Sequence, residues 1–453
     1  VGQIWNKEFI GGLDSRRMPE CAAGGTLIEA VDGHITNGGE FEQRAAFVEV
    51  AELPLETVGL AAGSAGLVTF GSAEPPEMPA GYAYQQLQSP TSEEVELIRV
   101  PSTDLYAGTM YAVGQFADGS THHFYDGVAV EDWYDGKARA SFRVTAGASG
   151  SELTTLAVDG ISIIAGGGVD WTTSHFATAQ AIASAINSHT SSPNYTATAF
   201  EDQVTIIAPA GVAANGRTVA YTVGGTLALS PASGFALAGG SDEETFTPGN
   251  FVRTVGAKMY ALSGSAMHFS GIQQPTQWTT DAVGAGFIDM STHAAGSEQL
   301  QAVAKYQNLL AIFAKKNIQI WYVDPDPTLN KQSQVLNNTG TSSPRSVTQF
   351  GDNDLYYLAK SGLRSLRARD SSNAAATADI GIPVDTLVTD LIATLSIDDR
   401  TNRVFGLIEP VGGRFWLIIL NKVFVFSYFP GSKVSAWTMY QLEFDVDDVA
   451  VFD

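Results

Sequence analysis

Leu309-Leu310-Ala311-Ile312-Phe313-Ala314-Lys315-Lys316-Asn317-Ile318-Gln319-Ile320-Trp321-Tyr322-Val323 reads as strand, turn, strand. The apolar runs Leu309–Phe313 and Ile318–Val323 are short, rich in branched and aromatic residues, and broken by a polar turn. The same form recurs downstream. Leu355–Leu358 and Leu363–Leu366 flank Lys360-Ser361-Gly362, and Val404–Ile408, Phe415–Leu420 and Val423–Tyr428 follow as three more strands. Antiparallel strands spaced roughly ten residues apart suit propeller blades or a sandwich. No WD or kelch repeat is visible. Val384–Leu395, after Pro383, is a short helical candidate.

Working outward, one zone differs in composition. Val144–Ser241 carries six charged residues, Glu152, Asp159, Asp170, Glu201, Asp202 and Arg217, and is bounded by Gly147–Gly150 and Gly239–Gly240. That shift marks an inserted domain. Within it Leu156 and Val158 alternate up to Asp159-Gly160, and Ile161 and Ile163 alternate away, a hairpin signal. Phe176, Ala179, Ile182, Ala183 and Ile186 fall at helical spacing, with Thr173 or Ser174 as N-cap and Pro193 as the stop. Tyr195, Ala197 and Ala199, then Glu201-Asp202, then Val204 and Ile206 form a second hairpin, and Arg217–Val223 a further strand. The single helix is expected to cover one face of the sheet. The expected fold class is mainly β: a β-propeller-like body with a β-rich platform, interrupted by a small α/β (β-hairpin–helix–β-hairpin) inserted domain. The expected domains are 1-143 (platform and first part of the body), 144-241 (insert) and 242-453 (C-terminal body).

The chain has 453 residues, 44% of them hydrophobic and 16% charged, which suits a folded protein of about two to four domains. Net charge is −23 with only 25 Lys plus Arg and no basic run, which excludes a nucleic-acid-gripping module. An acidic surface suits a wall that DNA slides past, or a subunit kept soluble until assembly. Cys21 is the one cysteine, so no intrachain disulfide or cysteine zinc site forms, and the chain folds in a reducing compartment or without cross-links. The opening Val1–Phe9 has no signal-like apolar core, and Phe415–Leu420 is far shorter than the ~20 residues of a membrane span.

No catalytic constellation stands out. His122-His123 are strand neighbours pointing to opposite faces, a poor metal pair. The acid pairs Glu131-Asp132, Asp398-Asp399 and Asp447-Asp448 do not establish two carboxylates facing across a groove. Ala62-Gly63-Ser64-Ala65-Gly66 lacks the first Gly of a nucleophile elbow and reads as a loop. Asp324-Pro325-Asp326-Pro327 lacks a calcium loop's ligand pattern and reads as a rigid turn. Gly284-Ala285-Gly286 lacks the third Gly of a dinucleotide fingerprint. The expectation is a non-enzyme with no cofactor and no metal.

Phe9-Ile10-Gly11-Gly12-Leu13-Asp14-Ser15-Arg16 resembles the opening of bacteriophage tail nozzle proteins, also called tail tubular proteins B. Gly25 with Leu27 matches that family's next Gly-Leu step, and Gly38-Gly39, Arg44 and Phe47 its glycine, basic and aromatic positions. Ala30-Val31-Asp32 stands where the family has an Asn. Met259-Tyr260-Ala261, His268-Phe269-Ser270-Gly271 and Pro275-Thr276-Gln277-Trp278, then the Leu309–Tyr322 hairpin, Thr339–Ser343 and Asp352–Leu363, follow in the family's order. Phe124-Tyr125-Asp126-Gly127 and Asp132-Trp133-Tyr134-Asp135-Gly136 also resemble phage-tail sequence. The resemblance implies a structural virion protein of a short tail. It would be a homo-oligomer, a hexameric ring around the DNA exit channel, contacting an adaptor protein and fibres or spikes. DNA would pass the lumen without sequence-specific binding. Interface or motif candidates are Phe9, Gly11, Gly12, Asp14, Arg16, Arg44, Phe47, Trp133 and Trp278. The alternatives are another neck or stopper component that retains DNA, or a tail adhesin binding host glycan through the insert.

Overall fold

Leu309–Ala314 and Asn317–Tyr322 pair antiparallel, with Leu310 opposite Trp321 and Phe313 opposite Ile318, in a computed structural model of the chain. The structure describes residues 8–73, 77–90, 95–130, 137–200, 202–238, 240, 248–278, 283–292, 298–351, 353–371 and 379–452. Leu300–Tyr306 and Lys331–Asn337 flank this hairpin and complete a four-stranded meander. Leu310, Ala311, Ile312 and Phe313 are all buried, though consecutive side chains on a strand point to opposite faces. The sheet is therefore covered on both sides, which is why the sequence reads as an unbroken apolar run rather than an alternation.

Its neighbours supply the cover. Among the described residues, Leu97–Tyr106, Thr109–Phe116, Thr121–Tyr125 and Val128–Ala129 form one four-stranded sheet. Phe251–Val255 and Lys258–Ser263 open a second, Thr348–Phe350, Asp354–Ala359 and Gly362–Ser365 form a third, and Val404–Glu409, Arg414–Ile419, Lys422–Phe429 and Val434–Gln441 form a fourth. The first strands nest in chain order. Leu97–Tyr106 packs beside Phe251–Val255, that beside Leu300–Tyr306, that beside Thr348–Phe350, and that beside Val404–Glu409. Meanders joined through their first strands make the mainly β, propeller-like body that the strand spacing predicts. Side chains stitch the seams: Thr254 N–H donates to Asp104 Oδ2 at 2.7 Å and the Thr254 hydroxyl to Leu105 O at 3.0 Å.

Both ends of the chain join this body. Gly12–Leu13 and Thr26–Leu27 extend the last sheet by parallel pairing, Gly12 lying opposite Trp437. Near the C-terminus the half-buried Asp448 pairs with Arg345 and accepts the Leu60 N–H at 3.0 Å. Leu60 belongs to a separate three-stranded sheet, Gly59–Ala62, Leu67–Gly71 and Tyr82–Gln86. Val384–Leu395 is realised as the helix Asp385–Thr394.

The chain divides into two compact units, 1–130, 248–267 and 288–453 as the first, and 131–247 and 268–287 as the second. The charge-poor zone 144–241 lies inside the second unit, whose strand Lys137–Ala146 begins upstream of that zone. The first hairpin turns at Asp159-Gly160, both with positive φ (48° and 79°), as a two-residue type I′ turn needs. Ser174 caps the helix His175–Ser188, accepting the Ala177 N–H at 3.1 Å. Two local readings change. Phe176, at helical spacing with the core positions, is exposed, and Thr178 is buried instead, its hydroxyl returned to Ser174 O at 2.8 Å. The helix ends at Ser188, before Pro193, because Asn187 exchanges hydrogen bonds with the Ala197 backbone and ties the helix end to the next strand. The two hairpins also do not share one sheet. Glu152–Val158 bonds to Thr218–Gly224, whereas Thr196–Phe200 and Gln203–Ala210 join Lys137–Ala146. One core of Phe142, Leu156, Ile182, Ile186, Val204 and Val219 fills the space between these sheets and the helix.

One buried group sets a pH dependence. His123 Nε2–H donates to Gly249 O and Nδ1 accepts the Tyr111 hydroxyl, each at 3.0 Å, so the ring is held neutral. Burial pushes its pKa down to about 4 from 6.5. The unfolded chain takes up this proton first as pH falls, so the stabilisation is complete above pH ~6.5 and is lost toward pH ~4, by about 3 kcal/mol. His123→Gln, which keeps both hydrogen-bonding ends, is expected to flatten that part of the urea-unfolding midpoint between pH 7 and pH 4.5. An identical slope in both proteins would refute the assignment.

Candidate interface site

The N-terminal motif is positioned by close backbone approach. Gly12 has φ +55°, and a Cβ there would lie 2.6 Å from both N and O of Trp437, so only glycine lets this segment reach the last sheet. Phe9 N–H donates to Gly39 O at 2.7 Å and Gly11 N–H to Gly25 O at 3.1 Å, which ties the motif to the two later glycine positions. Leu13 sits in a core with Phe415, Phe426 and Trp437, and the Trp437 indole donates to Ile380 O at 2.7 Å. Asp14 receives Nε and Nη2 of Arg16 at 2.9 and 2.8 Å. That hydrogen bonding holds the Asp14 carboxyl below its ordinary value against the opposing effect of burial, and the same carboxylate raises Arg16.

Arg44 and Phe47 meet a different part of the same sheet. Arg44 Nε pairs with Asp32 at 2.9 Å, and its guanidinium lies 5.0 Å from the Phe47 ring and 5.8 Å from that of Tyr440. Phe47 meets Trp416 edge-on at 6.4 Å. The structure thus brings Phe9, Gly11, Gly12, Asp14, Arg16, Arg44 and Phe47 to the last sheet. Trp278 is fully buried within the second unit, and Trp133 lies outside the described residues.

The residues after this anchor are the ones that motif reasoning missed. From Ala45 to Pro54 the backbone forms no strand or helix. Among the described residues, no backbone hydrogen bond is donated by any N–H from Ala45 to Glu56. Val48 and Val50 are 77% and 83% exposed, and Leu55 is fully exposed. The legible signal was the Val48-Glu49-Val50 alternation in a stretch where no partner strand follows at hairpin distance.

His123 is buried against Tyr111 while His122 meets Phe116, so the two rings lie on opposite faces. Asp398 pairs with Arg99 and Asp399 with Arg403, while Asp447 pairs with Arg403 and Asp448 with Arg345. Glu131-Asp132 lies outside the described residues. Gly63 and Gly66 close a turn between paired strands, and Asp326 N–H donates to Asp324 Oδ1 at 3.0 Å within a turn. Among the described residues, no cluster of three His, Cys, Asp or Glu is placed to hold a metal, and no helix is long and apolar enough to cross a membrane.

No protein-family model and no curated protein matches the chain. Among solved structures, Kluyvelomyces marxianus Hsv2 is similar at 9% identity over 50% of this chain and 69% of its own, with a TM-score of 0.25. AztD from Citrobacter koseri is similar at 10% identity over 69% of this chain and 97% of its own, with a TM-score of 0.23. The extracellular domain of a hybrid two component system from B. thetaiotaomicron is similar at 10% identity over 81% and 37%, with a TM-score of 0.27. Likenesses this distant carry no argument, and none of the three is named as a phage tail protein.

The Gly12 contact is directly testable. Gly12→Ala is expected to lower unfolding stability by about 2–4 kcal/mol, combining overpacking with an unfavourable φ. An unchanged thermal and urea midpoint would show that the N-terminal strand is not seated on Trp437.

Proposed function

We propose that this chain is a structural virion protein, the nozzle of a short-tailed phage, whose copies close into a hexameric ring around the DNA exit channel. The reading places the ring in the tail, against an adaptor protein above and fibres or spikes at its side. The observation that carries it is segment 45–56, outside any strand or helix, with exposed Val48, Val50 and Leu55 and, among the described residues, no backbone acceptor for its N–H groups. An exposed segment with unused backbone N–H groups is a template for pairing with an edge of another chain. A head-to-tail contact of one segment with a different surface of the next copy generates rings when the rotation closes. The motif order from Phe9 to Leu363 supports the family, and the anchoring of segment 45–56 by Arg44 and Phe47 ties that motif to the proposed contact. A net charge of −23 supports a lumen that repels phosphate.

Light scattering of the recombinant chain is expected to give a hexamer, and labelled subunits in virions to give six copies round the tail axis. Val48→Glu combined with Val50→Glu removes two buried contacts worth roughly 1.5–3 kcal/mol each and is expected to weaken assembly more than 100-fold. The melting temperature of the monomer should stay unchanged, since both side chains are exposed in it. A label at fibre tips, or a ring that survives both substitutions, overturns the reading.

A further inference from the structure

The first strands of the propeller-like body surround a cavity of about 350 Å³. That volume falls at the small end of ligand sites, roughly 300–1,000 Å³. Its lining is unusual for this chain. Overall, acids outnumber Lys plus Arg by 48 to 25, yet the charged residues that line the cavity are Arg253, Lys305 and Arg345, with no Asp or Glu among them. Each comes from a different sheet or the turn preceding it, so their convergence is a product of the tertiary fold.

The three cations are not equally satisfied. Arg345 is ion-paired with Asp448, and its guanidinium rests 4.4 Å from the Phe405 ring. Arg253 is held 5.6 Å from the Phe251 ring and reaches Asp104 only at 3.9 Å, while Asp104 Oδ2 is already engaged by the Thr254 N–H at 2.7 Å. Arg253 Nε is buried with no hydrogen-bond partner among the described residues. Lys305 is exposed, and no ion pair to it occurs among the described residues. A buried, unpaired donor calls for an acceptor, and two incompletely neutralised cations on one cavity raise the local potential for an anion. Thr103 and Gln349 also line the cavity, and their side chains carry donors suited to an oxyanion.

We infer that this cavity is a phosphate-group binding site, in which Arg253 and Lys305 contact the anion and Arg345 contributes to the field from its pair with Asp448. Three cations from different strands or turns on one cavity, with hydroxyl and amide side chains also lining it, fit a tetrahedral group with several oxygens better than a single planar carboxylate. The site is independent of assembly through segment 45–56. It also concerns a single phosphate group rather than a nucleic-acid track, because the acidic chain offers no continuous basic path around it.

The test is calorimetric titration of the full chain with inorganic phosphate at fixed ionic strength, with acetate as the carboxylate control. Saturable phosphate binding is expected in the unsubstituted protein. It should weaken at least about ten-fold in Lys305→Gln and in Arg253→Gln, recover in Lys305→Arg, and stay unchanged in Lys360→Gln, an exposed lysine away from the cavity. Circular dichroism melts of each variant separate lost binding from lost folding, and Lys305, being exposed, is expected to leave the melt unaltered. Glycerol phosphate distinguishes the source. Binding of both probes supports a phosphate ester, and binding of inorganic phosphate alone supports the free ion. Absence of saturation, equal acetate binding, or binding unaffected by both Lys305→Gln and Arg253→Gln overturns the site.

Discussion

A strand that is apolar on both faces is stable only where both faces are covered, and several strands of this body are of that kind. Leu310, Ala311, Ile312 and Phe313 are buried in succession, as are Val423, Phe424, Val425 and Phe426. Each fully buried side chain of this size is worth roughly 1.5–3 kcal/mol, against about 0.2–1 kcal/mol for a cross-strand pair. Burial between sheets therefore outweighs pairing within them. Short meanders stacked through their first strands satisfy the requirement for the sheets of the body, and the Thr254 hydrogen bonds to Asp104 and Leu105 hold one such seam in register.

That arrangement leaves two chain ends to be accommodated, and different forces hold them. At the N-terminal end the contact is steric: Gly12 lets the backbone lie against Trp437 and so places Leu13 among Phe415 and Phe426. At the C-terminal end it is electrostatic. Burial raises the Asp448 pKa, which opposes ionisation, while Arg345 and the N–H groups of Leu60 and Val449 favour the carboxylate. A buried charge held by several donors costs much less than one left unpaired. This carboxylate links the small three-stranded sheet to the turn before Thr348–Phe350.

The segment and the cavity behind the two proposals lie where these structural demands stop. Segment 45–56 leaves the last sheet beyond Phe47 and presents valines and backbone donors that no other described part of the chain uses. The cavity among the first strands collects Arg253, Lys305 and Arg345 in a chain of net charge −23. Asp399 and Asp447, by contrast, both pair with Arg403.

Sequence alone determined the local elements. The 309–323 hairpin, the turn at Asp159-Gly160, the cap at Ser174 and the three C-terminal strands follow from turn chemistry and apolar period, which act over a few residues. It also located the N-terminal motif, without showing that its second glycine was required by a tryptophan more than four hundred positions away. Tertiary structure alone decided which strands share a sheet, as the two insert hairpins show by joining different ones. It also decided that Phe176 faces solvent while Thr178 is buried, that the N–H groups of 45–56 find no backbone acceptor among the described residues, and that three cations from distant segments meet at one cavity. Periodicity reports which residues prefer burial; the surface that buries them, and the charges it brings together, come from contacts between residues far apart in the chain.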